Sequence, residues 1–171
     1  MARIPGLAKL LFKIGVLSKQ RFEQHRQGIF RTVRYLNVTK KFPYPNNYFD
    51  YIYSSHLLEH LYSHQAKFCV SEVYRILKKG SIARIAVPDL DDLVASYDPL
   101  HPQKFLERMF ESQQKSTKNR HHMHYNQVSL TQILAEAGFK GIWRCEFQQG
   151  QCADVSLIDN RPVSLFIEAM K

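Results

Sequence analysis

The sequence predicts an α/β fold whose sheet is mostly parallel and ends in an antiparallel ribbon, and three patterns carry that expectation. Residues 49–88 read as strand, helix, strand, the unit that joins parallel neighbours by a crossover. A second amphipathic helix runs into Gly138, where a glycine suits a left-handed stop. Two apolar segments, 141–147 and 163–170, follow with no helix expected between them, so they should pair as antiparallel neighbours at the sheet edge.

Taken in order, Leu7, Leu10, Leu11 and Ile14 recur at helical spacing, and Ser18 suits the cap of a second segment running through Phe22 towards Gly28. Residues 32–38 (TVRYLNV) are β-branched and aromatic and predict a strand. Residues 40–47 (KKFPYPNN) interrupt the pattern, because the prolines exclude a helix interior or a central strand and the Asn pair favours a turn. Residues 49–54 (FDYIYS) predict a short strand, followed by HLLEHL over 56–61 and a helix capped at Ser63. Ala66, Cys69, Val70, Val73, Ile76 and Leu77 mark one face of that helix, with Gly80 as its stop. Residues 82–87 (IARIAV) predict a buried strand ended by Pro88, and Asp89 suits the cap of a short helix whose dipole Asp91 and Asp92 would favour. A helix is expected over 102–114, then a polar, solvated His-rich loop through Tyr125, then a capping box of Ser129 with Gln132. No internal repeat or low-complexity tract is present.

A chain of 171 residues with 44% apolar and 23% charged residues suits a single domain, with 1–31 as a basic helical N-terminal region. No apolar run is long enough to span a bilayer, so membrane insertion is not expected. Lys9 and Lys13 interrupt the leucine-rich start and no small-residue cleavage pattern follows, which argues against a signal peptide. Cys69, Cys145 and Cys152 form no close pair and are odd in number, so neither a disulfide framework nor a zinc knuckle is suggested and a cytoplasmic location is expected. The net charge of +9 lies wholly in residues 1–41, which hold ten Lys or Arg against Glu23 alone. Such an arm is either a solvated helical face or a surface for RNA phosphates or another acidic partner.

The ordered pieces YLNVTKKFPYPNNYFDYIYSSHLLEHL, EVYRILKKGSIARIAVPDL, HYNQVSLTQILAEAGF and RPVSLFIEAMK resemble the type 11 branch of the class I S-adenosylmethionine (SAM) methyltransferases over residues 35–171. The matching family pattern is a strand ending in Asp, an "lPFpdnsFD" loop, a "SHvLEHL" turn, an "EvyRvLkpGG" helix and an "LLeeaGF" helix before the closing ribbon. The resemblance implies a Rossmann-like class I methyltransferase sheet, SAM as cofactor and an unknown small-molecule methyl acceptor. It further implies that Asn37 and Val38 meet the adenine, and that Ser54, Ser55 and His56 meet the methionine part. Asn37 stands where the family has Asp and loses its charge assistance. Lys79, Gly80 and Ser81 replace the family's Pro-Gly-Gly turn.

One departure is larger. The family opens with a strand ending in G-x-G-x-G and a second strand whose acid grips the ribose, whereas the early glycines here are Gly6, Gly15 and Gly28 and no acid follows a strand before Phe49. Losing two charged hydrogen bonds of about 1.5–3 kcal/mol each weakens binding roughly a hundred- to ten-thousand-fold. In the family's strand order 3-2-1-4-5-7-6 the missing strands are central, so the sheet is expected to be incomplete at its N-terminal strands. Either it closes over the gap or a second chain, making a homodimer, fills it.

His56, Glu59 and His60 also spell H-x-x-E-H, the inverted zinc-protease motif, with His64 on the same face and a distant third ligand required. The family resemblance accounts for the same letters and their flanks, so no metal is assigned. His56 is the one catalytic candidate, as general base for an oxygen or nitrogen nucleophile; its alternative is a cap or packing residue after the strand. His121, His122 and His124, beside Arg120 and Lys118, belong to a loop read as solvated, with a substrate lid or a metal site as alternatives. Two classes of function follow. One is a SAM-dependent methyltransferase, or a truncated or degenerate member of that family. The other is a non-catalytic, dimeric module that meets RNA or an acidic partner through its basic N-terminal region.

Overall fold

A computed structural model of the chain describes residues 11–16, 19–26, 33–110 and 120–171. The expectations resting on Leu7, Leu10, Ser18, Gly28, Thr32 and the end of the helix at Gln114 lie outside those residues. The chain falls into two compact units, Met1–Asn37 and Val38–Lys171. In the first, α1 (Lys19–Arg26) carries a Glu23–Arg26 ion pair at 3.2 Å, and Phe22 stacks on Phe12 at 4.6 Å between ring centroids.

The second unit is built on four strands, β1 (Phe49–Ser55), β2 (Leu77–Val87), β3 (Gly141–Cys145) and β4 (Leu165–Met170), in the spatial order β1-β2-β4-β3. β1 and β2 are parallel, joined through α2 (Ser63–Ile76), while β4 runs antiparallel to both β2 and β3. The crossover unit and the closing ribbon are therefore the expected ones. β2 and β4 are central with both faces covered, so their buried stretches Ile82 to Val87 and Leu165 to Ala169 are apolar apart from Arg84 and Glu168. α2 buries Ala66, Cys69, Val70, Val73 and Ile76, the helical face read from the sequence, and each large aliphatic among them contributes about 1.5–3 kcal/mol. Beside it α5 (Gln127–Ala137) buries Leu130, Ile133 and Leu134 and ends at Gly138, left-handed at φ 109° as expected. Between them in sequence lie the short α3 (Leu90–Ala95) and α4 (Pro102–Phe110).

Several expectations are corrected. Residues 33–38 take no strand conformation, and Val33 and Tyr35 are exposed. A strand needs a hydrogen-bonded neighbour, and among the described residues none is offered. Nor does the sheet close over the gap, since among the described residues β1 ends the strand order and pairs only with β2. Gly80 does not stop α2, which ends at Ile76; its left-handed φ of 75° instead serves an irregularity in β2 between the pairings Phe49↔Leu77 and Tyr51↔Ile82. α2 is entered from Tyr62, not Ser63, with Gln65 accepting a hydrogen bond from the Tyr62 amide at 3.1 Å. The capping box of α5 sits three residues early. Asn126 caps, and Ser129 is its return partner in place of Gln132, because the Asn side chain reaches the Ser129 amide at 3.0 Å. Finally, a single helical turn, α6 (Val155–Ile158), interrupts the connection between β3 and β4.

That connection is held by a buried charge network. Arg84, Asp159 and Glu168 are fully buried; Arg84 donates to both Asp159 oxygens, to Glu168 at 2.9 Å and to the carbonyls of Gln149 and Glu146. Glu168 in turn accepts from the amides of Gln151 and Cys152 at 2.8 and 3.0 Å. Every charge is paired and hydrogen-bonded, the condition under which buried ions are tolerated.

Candidate active site

The parallel pairing of β1 and β2 brings their carboxyl ends to one edge, and the residues that follow each strand form the walls of a cavity of about 240 Å3. Open α/β sheets place ligands at this edge. His56 follows β1, and Pro88 with Asp89 follows β2; Asp92, Arg108, His121, His124 and Arg161 complete the polar lining. Its charged walls suit a polar occupant.

Ser54, Ser55 and His56 lie together at the end of β1, as read from the sequence. Ser54 and Ser55 pair with Ile85 and Ala86, and the Ser54 hydroxyl is buried with no hydrogen-bond partner among the described residues. His56 takes a left-handed φ of 50° and anchors its amide on the Ala86 carbonyl at 2.9 Å, so the chain turns sharply where β1 ends. A non-glycine residue held there is strained by roughly 1–3 kcal/mol and persists only when its surroundings enforce it. Asn37 belongs to the first unit and Val38 opens the second, so these two candidates are separated by the division of the chain.

The His56 ring, with 12% of its side chain exposed, is addressed from both nitrogens. Nε2 lies 3.0 Å from Ser164 Oγ, and Nδ1 lies 3.1 Å from Glu59 Oε1. The second approach has the distance of an ion pair without the alignment of a hydrogen bond, and neither Glu59 oxygen has a hydrogen-bond partner among the described residues. A carboxylate beside Nδ1 favours the tautomer with its proton there and leaves Nε2 basic. Sequence reasoning missed Ser164. It stands 108 residues from His56 in the ribbon, with no local signal to join the two.

The H-x-x-E-H reading fails in its own terms. Residues 58–60 form a 3-10 turn (Leu58–His60) that starts after His56, so His56 and His60 are not stacked one α-helical turn apart. The His-rich loop is also not the solvated segment expected. Amides of His122 and Met123 donate to the Glu59 carbonyl at 2.7 and 3.1 Å, which pins the loop against the 3-10 turn. His121 is 8% exposed and Tyr125 1% exposed. Burial pushes the Tyr125 phenol up to about 12, aided by the Glu59 charge, so it stays protonated. Asp89 does cap α3, accepting from the Asp91 amide at 3.0 Å, and also accepts from Arg144 at 3.1 Å.

Residues 10–143 match a family model described as a methyltransferase domain. Among curated proteins, the ubiquinone/menaquinone biosynthesis C-methyltransferase UbiE of Coxiella burnetii is 29% identical over 124 residues, 67% of this chain and 48% of that protein. The chain thus spans about half the length of these curated relatives. A SAM-dependent methyltransferase from Archaeoglobus fulgidus superposes with a TM-score of 0.57 at 17% identity, covering 95% of this chain and 80% of that one. An O-methyltransferase family protein from Burkholderia thailandensis superposes with a TM-score of 0.58 at 11% identity, covering 96% and 47%. At such identities the structural matches speak for the fold alone.

Proposed function

The chain belongs to the class I SAM-dependent methyltransferases, and from that membership we propose that it directs a methyl group onto a small polar acceptor held in the cavity at the ends of β1 and β2. SAM is the cofactor of the family; when bound, it supplies a methyl group on a sulfonium, activated for attack. The described residues fit its methionine end, where the buried Ser54 hydroxyl awaits a partner beside Ser55 and His56. Val38, and Asn37 through its side-chain oxygen, are the proposed adenine contacts. The observation that carries the reading is His56 at the cavity wall with its Nδ1 facing Glu59. His56 Nε2 accepts the proton that an O–H or N–H acceptor loses as its bond to the methyl carbon forms, and Glu59 orients the ring. Ser164 holds Nε2 until the acceptor displaces it. A positioned base of this kind contributes about 10²–10⁴-fold. The three free cysteines suit a reducing compartment, and we place the reaction in the cytoplasm.

Calorimetry with SAM, run beside RNA binding at several salt concentrations, tests this reading. The expected result is saturable SAM heat in the parent chain, with radiolabelled methyl incorporation from an acceptor panel falling at least a hundredfold in His56→Ala even at SAM concentrations that saturate that variant. No heat with millimolar SAM, together with RNA affinity that drops steeply with salt, would instead establish the non-catalytic module acting through its basic N-terminal region.

A further inference from the structure

Glu59 presents an unresolved charge. Its side chain is 1% exposed, and neither oxygen has a hydrogen-bond partner among the described residues, although a buried carboxylate without donors is destabilised by several kcal/mol. One ligand atom of Glu59, one of His60 and one of His121 lie within 4.8 Å of one another. The rings of His60 and His121 meet edge to face at 5.0 Å between centroids. His60 Nδ1 lies 3.2 Å from the Arg120 carbonyl, an acceptor that only a protonated nitrogen can satisfy, so Nε2 keeps the lone pair that a metal takes. A backbone carbonyl behind a ligating imidazole is the usual device for fixing its tautomer and orientation. The same loop that supplies His121 is pinned by the two amide bonds to the Glu59 carbonyl, which holds the three donors together without any contact between their side chains being needed.

We propose that Glu59, His60 and His121 bind one divalent transition-metal ion. Two imidazoles and one carboxylate suit zinc and its first-row neighbours; magnesium and calcium prefer all-oxygen sites. Ligand atoms around tetrahedral zinc stand about 3.3 Å apart, given metal–ligand bonds of roughly 2.0–2.1 Å, so binding draws the three inward from their present spacing. Three protein ligands leave at least one position for water or for an oxygen of a cavity occupant, and His121 is itself a cavity wall. The ion also supplies a fixed positive charge to Glu59, whose oxygens have His56 Nδ1 at 3.1 Å but no hydrogen-bond donor among the described residues. This site differs from the H-x-x-E-H pattern, since His56 faces Ser164 and the third ligand comes from the His-rich loop. It shares Glu59 with the methyl-transfer reading but does not rest on it, since metal affinity is measured with neither SAM nor an acceptor present.

The test is a zinc titration of the full chain after removal of metal with a chelator, followed by calorimetry and by the visible absorption of the cobalt(II) form. The expected result is one ion per chain, with Glu59→Gln and His60→Ala each weakening affinity at least a hundredfold, and the exposed His64→Ala leaving it unchanged. Zinc should also raise the melting temperature of the parent chain and not that of His60→Ala. Should Glu59→Gln fail to fold, the partly exposed His60 decides the matter alone. Binding that survives His60→Ala, or that is lost in His122→Ala while Glu59→Gln retains it, overturns the assignment, as does the absence of stoichiometric binding.

Discussion

At Gly150 the backbone itself excludes any side chain. Its φ of 154° lies in a region that L residues rarely adopt, and a Cβ there would collide with the Glu168 carboxylate and stand 2.7 Å from Arg84 Nη1. Gly150→Ala must therefore displace a fully buried ion pair, and we expect a loss on the order of 1–3 kcal/mol, read as a lower urea midpoint with unchanged slope. Nearby, burial pushes the Cys152 thiol up to about 11, and burial does the same for Cys69 in α2. Neither is a thiolate at pH 8, so mass spectrometry should show both unmodified by iodoacetamide in the native chain and alkylated after denaturation. Single residues differ in how far the sequence discloses them. His56 is legible because it ends a short apolar strand, and Asp89 because a cap precedes its own helix. Ser164, Asp159 and the buried state of His121 are not, since each is defined by a partner far along the chain and its local composition is polar.

Elements carry their own information through periodicity, and α2 is the clearest case, its buried face matching the apolar spacing residue by residue. Its C-terminal end is not legible in the sequence, because a glycine after a helix and a glycine in a strand irregularity are the same letter. A charged residue of α2 does further work. Glu72 accepts from Arg75 Nε and Nη2 at 2.7 Å and from the Phe42 amide at 2.7 Å, while Arg75 also donates to the carbonyls of Tyr44 and Phe42. The proline-rich loop is thereby fastened to the helix. The hydrogen bond from Arg75 holds the Glu72 carboxyl below its ordinary value, against burial, with help from the Phe42 amide and the Arg75 and Lys41 charges. A carboxylate with a depressed folded-state pKa stabilises the fold above its unfolded value of 4.5, and that stability is lost as pH falls through the lower folded value. Hence Glu72→Gln should lower stability by on the order of 1.5–3 kcal/mol at pH 7, with the gap to the parent chain narrowing below pH 4.5. A gap constant from pH 7 to pH 3 would show that the amide geometry, not the charge, matters.

For the whole molecule, the strand order β1-β2-β4-β3 leaves one long parallel edge in question. The crossover, the ribbon and the core helices follow from patterns read within short windows. The fate of residues 33–38 does not, because a β-rich segment becomes a strand only where a neighbour exists, and none of the described strands lies beyond β1. Among the described residues β1 meets β2 on one side only, and its Tyr51 is 48% exposed. No described strand pairs with the outer edge of β1, and an open strand edge is a template for another chain. We therefore propose that a second copy pairs along β1, completing the hydrogen bonds that β2 cannot. Light scattering on the purified chain should give twice the 20.1 kDa monomer mass, and replacing Tyr51 with Lys on the exposed face should shift the population towards monomer. If the parent chain is monomeric throughout its soluble concentration range, β1 satisfies its outer edge with water and the pairing is wrong.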